Sequence, residues 1–137
     1  MARLTFSAEL ENLELMLEFI RNGLKELDLS SREINQIQIA AEEPLVNIIS
    51  YAYPDGNGNI EITYSIEDST EDSKKLVIQI VDWGVEFDPL TLPDPDIDAP
   101  IEEREIGGLG VYMMRNIMDE VLYKREEDRN ILTLVKY

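Results

Sequence analysis

A two-layer α/β sandwich, with a mixed, mainly antiparallel sheet of about five strands and three helices packed on one face, is the fold class that this sequence predicts. Three observations lead to it. Three stretches repeat apolar residues every three or four positions, the period of an amphipathic helix. Five shorter stretches alternate or run apolar, as strands do. The 137 residues contain no internal repeat and no linker, so residues 1–137 read as a single domain.

Arg3 to Ser7 alternates like a short first strand, and Ser7 is a plausible N-cap for the helix that follows. That helix carries Leu10, Leu13, Leu17, Ile20, Leu24 and Leu27 on one apolar stripe. Two uses fit such a stripe: it lies across the domain's own sheet, or part of it serves a partner or a homodimer. Ser30-Ser31-Arg32-Glu33 forms a capping box and opens a second helix, with Ile34, Ile37, Ala41, Leu45, Ile48 and Ala52 as its apolar side. Glu43 and Asn47, four apart, share a face of this helix, whereas Glu42 points away. Such a pair is either solvated helix surface or two groups that meet one ligand. Pro44 removes one backbone hydrogen bond and should bend the axis beside Glu43.

Tyr53 to Gly58 breaks the helix, and Ile60, Ile62, Tyr64 and Ile66 alternate as a strand covered on one face. Glu67 to Lys75 is a polar connection. Leu76, Val77, Ile78, Ile80 and Val81 then read as a strand largely buried on both faces, ending in Asp82-Trp83-Gly84. A buried carboxylate needs a partner, and Gly84, without a Cβ, admits a strained turn or a flat ligand against the backbone. An ordinary Asp-x-Gly turn closing a core strand accounts for these residues equally. Leu90 to Ile106, with three prolines among six acidic residues, is expected to be a long mobile loop or lid. Gly107-Gly108-Leu109-Gly110 leads into a third helix with Val111, Met114 and Met118. Those glycines either form a hinge or bring the helix N-terminus to an anion. Val121 to Arg125 and Asn130 to Tyr137 suit a closing hairpin turned near Glu126 to Arg129.

Composition removes several function classes. The chain has no cysteine and no histidine, which excludes disulfides, thiolate or imidazole metal sites, histidine-based triads and a phosphoacceptor histidine in cis. Twelve basic against twenty-nine acidic residues give a net charge of −17, which repels nucleic acid and anionic membranes. No apolar stretch approaches the roughly 18 residues of a membrane span, and the amino terminus lacks a signal-peptide core, so the expected compartment is the cytoplasm. A small anionic ligand would need a cation, a helix N-terminus or backbone N–H groups to meet its charge locally.

Taken in order, Glu43-Pro-Leu-Val-Asn47, Asp82-Trp-Gly84-Val-Glu-Phe-Asp-Pro, an acidic loop and Gly107-Gly-Leu-Gly110 with its helix resemble the N, G1 and G2 boxes of the GHKL ATP-binding fold. That fold is shared by gyrase, MutL and histidine-kinase catalytic domains, and the chain most resembles its small bacterial serine kinases that act as anti-sigma factors. The resemblance covers nearly the whole chain. It implies that Asn47 binds Mg²⁺ bridging the ATP phosphates, that Glu43 is the general base and that Asp82 accepts the adenine amine. Gly84 would leave space for the ring, and Gly107, Gly108 and Gly110 would let phosphates approach the helix. The sequence departs from the family pattern at Pro44, at Tyr51, where relatives often have histidine, and at Glu86, where a glycine is common.

The function implied is an ATP-dependent serine/threonine-protein kinase that phosphorylates a small anti-sigma antagonist protein and sequesters a sigma factor. The rival reading is a non-catalytic, nucleotide-gated protein-binding module. Glu43 favours the first and Pro44 the second.

Overall fold

The structure, a computed structural model, describes residues 1–70, 73–91 and 108–137. Strand β1 (Ala2–Ser7) leads through a 3₁₀ turn at Leu10–Asn12 into helix α1 (Leu13–Leu24), and helix α2 (Ser31–Asn47) follows. Strands β2 (Asn59–Thr70) and β3 (Ser73–Asp82) come next, then helix α3 (Gly108–Ile117) and strands β4 (Glu120–Glu126) and β5 (Arg129–Lys136). The five strands form one sheet in the order β1-β2-β3-β5-β4, antiparallel at each pairing.

Strand parity decides which side chains meet the helices. Ile60 and Ile62 on β2, Leu76, Ile78 and Ile80 on β3, and Leu132 and Leu134 on β5 share one face. They pack with Met16, Ile20 and Leu24 of α1, Ile37, Ala41 and Leu45 of α2, and Val111 and Met114 of α3. The apolar run of β3 fits its place at the centre of the sheet. On the face away from the core Val81 is buried but Val77 and Gln79 are only half covered.

The helix boundaries shift from those the periodicity suggests. Leu10 is 68% exposed in the 3₁₀ turn, and Met16, absent from the expected stripe, is fully buried in its place. Ser7 ends β1 instead of capping a helix, its carbonyl accepting from Asn12 Nδ2 at 3.1 Å. The capping box of α2 forms as expected, with Glu33 N–H donating to Ser30 Oγ at 3.1 Å and Ser30 N–H to Glu33 Oε1 at 3.2 Å. Pro44 does not break α2, which stays α-helical to Asn47. Beyond that, Ile48–Ala52 winds as a wider π-helical turn. The expected lid from Leu90 to Ile106 lies, beyond Thr91, outside the described residues.

The β4–β5 hairpin turns through Glu127 and Asp128, both with positive φ, 52° and 63°. Two consecutive left-handed residues mark the turn that favours Asn-Gly, because glutamate there crowds its own Cβ. Glu127→Asn combined with Asp128→Gly should therefore stabilise the fold by about 1–2 kcal/mol. The exposed ion pairs Arg125–Asp128 (4.0 Å) and Arg129–Glu127 (3.7 Å) that it removes offset little of this. Thermal unfolding reads the result, and an unchanged or lower Tm would contradict the assignment of strain to this turn.

Candidate functional site

The site begins where β3 leaves the core. Asp82 has the parity of Ile78 and Ile80, so its carboxylate points to the apolar side, and only 3% of the residue is exposed. Its partner lies directly across the sheet, since the β3–β5 register pairs Asp82 with Asn130. Asn130 Nδ2 donates to Asp82 Oδ1 at 2.9 Å and to the Val85 carbonyl at 2.8 Å. Its Oδ1 accepts from the Tyr123 hydroxyl at 2.5 Å and the Phe87 N–H at 3.3 Å. One side-chain amide thus uses both donors and both lone pairs to shape the turn. Gly84 N–H also donates to Asp82 Oδ1, at 2.9 Å. Among the described residues both donors meet the same oxygen, which leaves Oδ2 to face the space beside it. Burial pushes the Asp82 carboxyl above its ordinary range, and the bonds from Asn130 and Gly84 and the nearby Arg125 charge only partly offset this.

Gly84 is required by a close approach. A Cβ there would fall 2.3 Å from the carbonyl oxygen of Ala52, to which Val85 N–H donates at 2.9 Å. The turn after β3 is therefore pressed against the end of the segment that begins as α2. On α2 itself, Asn47 Nδ2 donates to Glu43 Oε1 at 3.2 Å, while Glu42 is exposed. Glu43 is half-buried, and desolvation raises its carboxyl above the ordinary glutamate value, with the Asn47 bond acting in the opposite direction. The Glu43 carboxylate rests against the first turn of α3, where a Cβ at Gly110 would come within 2.1 Å of its Oε2. The glycine makes room for this carboxylate.

A cavity of about 220 Å³ joins these pieces. Glu43, Asn47, Asp82 and Asn130 all line it, among apolar walls that include Ile80, Val111, Met114 and Leu132. Along α2 and the π turn, Glu43 and Ala52 are nine residues apart, roughly 13 Å at helical rise, so the Glu43–Asn47 pair and the Asp82 turn mark separated parts of one site. Gly84 stands behind the cavity wall, and Gly110 reaches the site through Glu43. Gly108 opens α3, and Gly107 lies outside the described residues. Tyr51 and Glu86, the two departures in the flanking motifs, both line the cavity and are exposed.

The donor set suits a hard, oxygen-preferring cation. No cluster of three or more acidic, histidine or cysteine side chains occurs among the described residues. With Nδ2 given to Glu43, Asn47 offers its Oδ1, a single oxygen of the kind Mg²⁺ takes from a protein when phosphates and waters supply the rest. Asn47, oriented by its bond to Glu43, is the residue that could hold such an ion, and the backbone N–H groups opening α3 could face an anion.

Reasoning along the chain overlooked Asn130, Tyr123, Tyr53 and Arg125. Asn130 carried a signal: it shares parity with Leu132 and Leu134, and a polar residue on an apolar strand face needs a reason. Tyr53 and Arg125 carried none, because their partners are backbone groups of a distant turn: Trp83 N–H donates to the Tyr53 hydroxyl at 2.8 Å, and Arg125 Nη1 to the Gly84 carbonyl at 2.9 Å.

Asp82→Asn keeps an acceptor for Gly84 N–H and Asn130 Nδ2 while removing a buried charge, so at neutral pH the variant should be as stable as the parent or more so. The folded-state pKa of Asp82 is raised. The parent therefore gains stability as pH falls from the folded value to the unfolded one, and its deficit against the variant is largest near neutrality and closes in that window. Unfolding of both proteins between pH 7 and pH 4 measures the gap, and a gap independent of pH would contradict the raised value.

Residues 6–136 match the family model described as a histidine kinase-like ATPase domain. The chain is 30% identical over 109 residues to proteins named serine-protein kinase RsbW from Bacillus cereus (strain AH820) and Bacillus anthracis (strain A0248). It is 29% identical over the same length to that of Bacillus mycoides (strain KBAB4). Each alignment takes in 77% of this chain and 64% of the relative, so the chain spans a little under two thirds of those proteins. With a family model matched almost end to end and its Asp-x-Gly turn, paired glutamate and asparagine, and glycine-led helix assembled around one cavity, the chain belongs to the histidine kinase-like ATPase domain family.

Proposed function

We propose that the chain is an ATP-dependent serine/threonine-protein kinase of the anti-sigma type. It phosphorylates a small anti-sigma antagonist protein, and in a partner switch it also sequesters a sigma factor, in the cytoplasm. One observation carries this reading: a half-buried carboxylate, Glu43, hydrogen-bonded to Asn47, lines the same cavity as the buried carboxylate Asp82. Nucleotide binding alone needs the second carboxylate, whereas transfer needs in addition a group such as the first, placed to take a proton.

Asp82 Oδ2 accepts the exocyclic amine of adenine, and the apolar walls take the ring. Mg²⁺, when bound, neutralises part of the phosphate charge. Asn47 Oδ1 would hold it, and the N–H groups of the first turn of α3 would meet phosphate oxygens. Glu43 takes the proton from the substrate serine hydroxyl as the serine oxygen bonds the γ-phosphorus, and the bond from that phosphorus to the ADP oxygen breaks. A raised pKa suits a group that must take a proton near neutral pH. Pro44 argued for the non-catalytic alternative, yet Glu43 and Asn47 remain paired across it, which supports catalysis.

Glu43→Gln should keep Mg-ATP affinity within a few-fold while phosphate transfer to the antagonist's serine falls by two or more orders of magnitude, the scale of a lost general base. Glu42→Gln should do little. The assay uses labelled ATP and the cognate antagonist found by pull-down. ATP-dependent binding of that partner without any phosphate transfer by the parent protein would replace the kinase with a nucleotide-gated module.

Gly110→Ala isolates the geometry, because the atoms nearest the added Cβ are the flexible end of Glu43. It should leave the unfolding midpoint within a few degrees while cutting transfer at least tenfold. Full transfer would show that the carboxylate need not sit against α3. The acid limb of the transfer rate against pH should lie above the ordinary glutamate value, since burial raises Glu43.

A further inference from the structure

Six backbone groups of the Trp83–Phe87 turn have identified partners. Gly84 N–H goes to Asp82, the Gly84 carbonyl receives Arg125, and the Val85 carbonyl and Phe87 N–H both meet Asn130. All of these partners belong to the sheet. Two groups instead reach the end of the segment that carries Glu43 and Asn47: Val85 N–H donates to the Ala52 carbonyl at 2.9 Å and Trp83 N–H to the Tyr53 hydroxyl at 2.8 Å. The Tyr53 hydroxyl gives its own proton to the Asn59 carbonyl at 2.6 Å, so toward Trp83 it can only accept. Its ring is seated against Gly58, where a Cβ would fall 2.1 Å from the ring. Between Asn47 and Tyr53 the chain runs through the π-helical turn, a rare geometry that departs from the α-helix before it. Its far end is tied to the Trp83–Phe87 turn by these two bonds.

We propose that Tyr53 is a positioning residue: its hydroxyl fixes the spacing between the turn that recognises the base and the helix that presents Glu43 and Asn47. This rests on the adenine-nucleotide reading given above. Desolvation raises the phenol pKa, which keeps the hydroxyl protonated and the bond to Asn59 intact. A ligand that touches only the Asp82 turn does not sense the spacing, because Asp82, Asn130 and Arg125 still hold that turn. A ligand that spans both parts of the site does.

Tyr53→Phe keeps the ring on Gly58 and removes only the hydroxyl. Calorimetry with Mg-ATP and an NMR titration with adenosine are run on the parent and the variant. Mg-ATP affinity should fall about tenfold, the scale of one lost hydrogen bond, while adenosine affinity stays within two-fold, and hydrogen exchange at the Trp83 amide should accelerate. A merely structural role would weaken both ligands together, so equal losses, or none, would overturn the proposal. Failure of the parent protein to bind Mg-ATP would instead overturn the nucleotide reading and this proposal with it. Should Tyr53→Phe not fold, Gly58→Ala, which displaces the ring without touching the hydroxyl, must give the same selective loss of Mg-ATP or the proposal fails.

Discussion

The rest of the site depends on one buried carboxylate having a neutral partner that shapes a turn while solvating a charge. Asp82 sits with its side chain on the apolar face of the central strand, where an uncompensated ion would cost several kcal/mol. Hydrogen bonds to a charged group are worth about 1.5–3 kcal/mol each. Asn130 and Gly84 N–H supply two of them to a single oxygen. The same asparagine holds the Val85 carbonyl and the Phe87 amide, so solvating the charge and setting the course of the chain are one event. Burial still raises the pKa of Asp82, and these bonds offset it only in part.

Strand order makes this arrangement available. β5 lies between β3 and β4, and its register places Asn130 opposite Asp82, with Arg125 of β4 beyond it. A register slip of one residue would turn Asn130 to the other face, and Asp82 would lose the only side chain among the described residues that donates to it. The polar hub is therefore as dependent on the burial of Leu132 and Leu134, which set that register, as the core is.

Helix α2 contributes through stiffness. It carries Glu43 and Asn47 on one face and Leu45 and Pro44 toward the buried side. Pro44 costs the helix a hydrogen bond, but its ring is buried and the turns on either side persist. Among the described residues that line the cavity there is no lysine or arginine, so from them a polyphosphate would have only its own cation and the N–H groups opening α3. Among the described residues no helix is long and apolar enough to cross a membrane.

The sequence by itself determined the local and periodic features: five strands, three helices, the capping box at Ser30, the hairpin, and the shared face of Glu43 and Asn47. Each depends on interactions between residues a few positions apart, which spacing alone reveals. It also marked Asp82 as a buried carboxylate in need of a partner, because an apolar run ended on a charge. Only the tertiary structure decided what that partner is, since Asn130 lies 48 residues away and meets Asp82 through a register set by side chains of two other strands. The same holds for the carboxylate of Glu43 against Gly110 and for Tyr53 against Trp83, where a glycine or a hydroxyl matters because of what packs on it. Contacts of that kind leave no period in the chain, and packing alone brings them together.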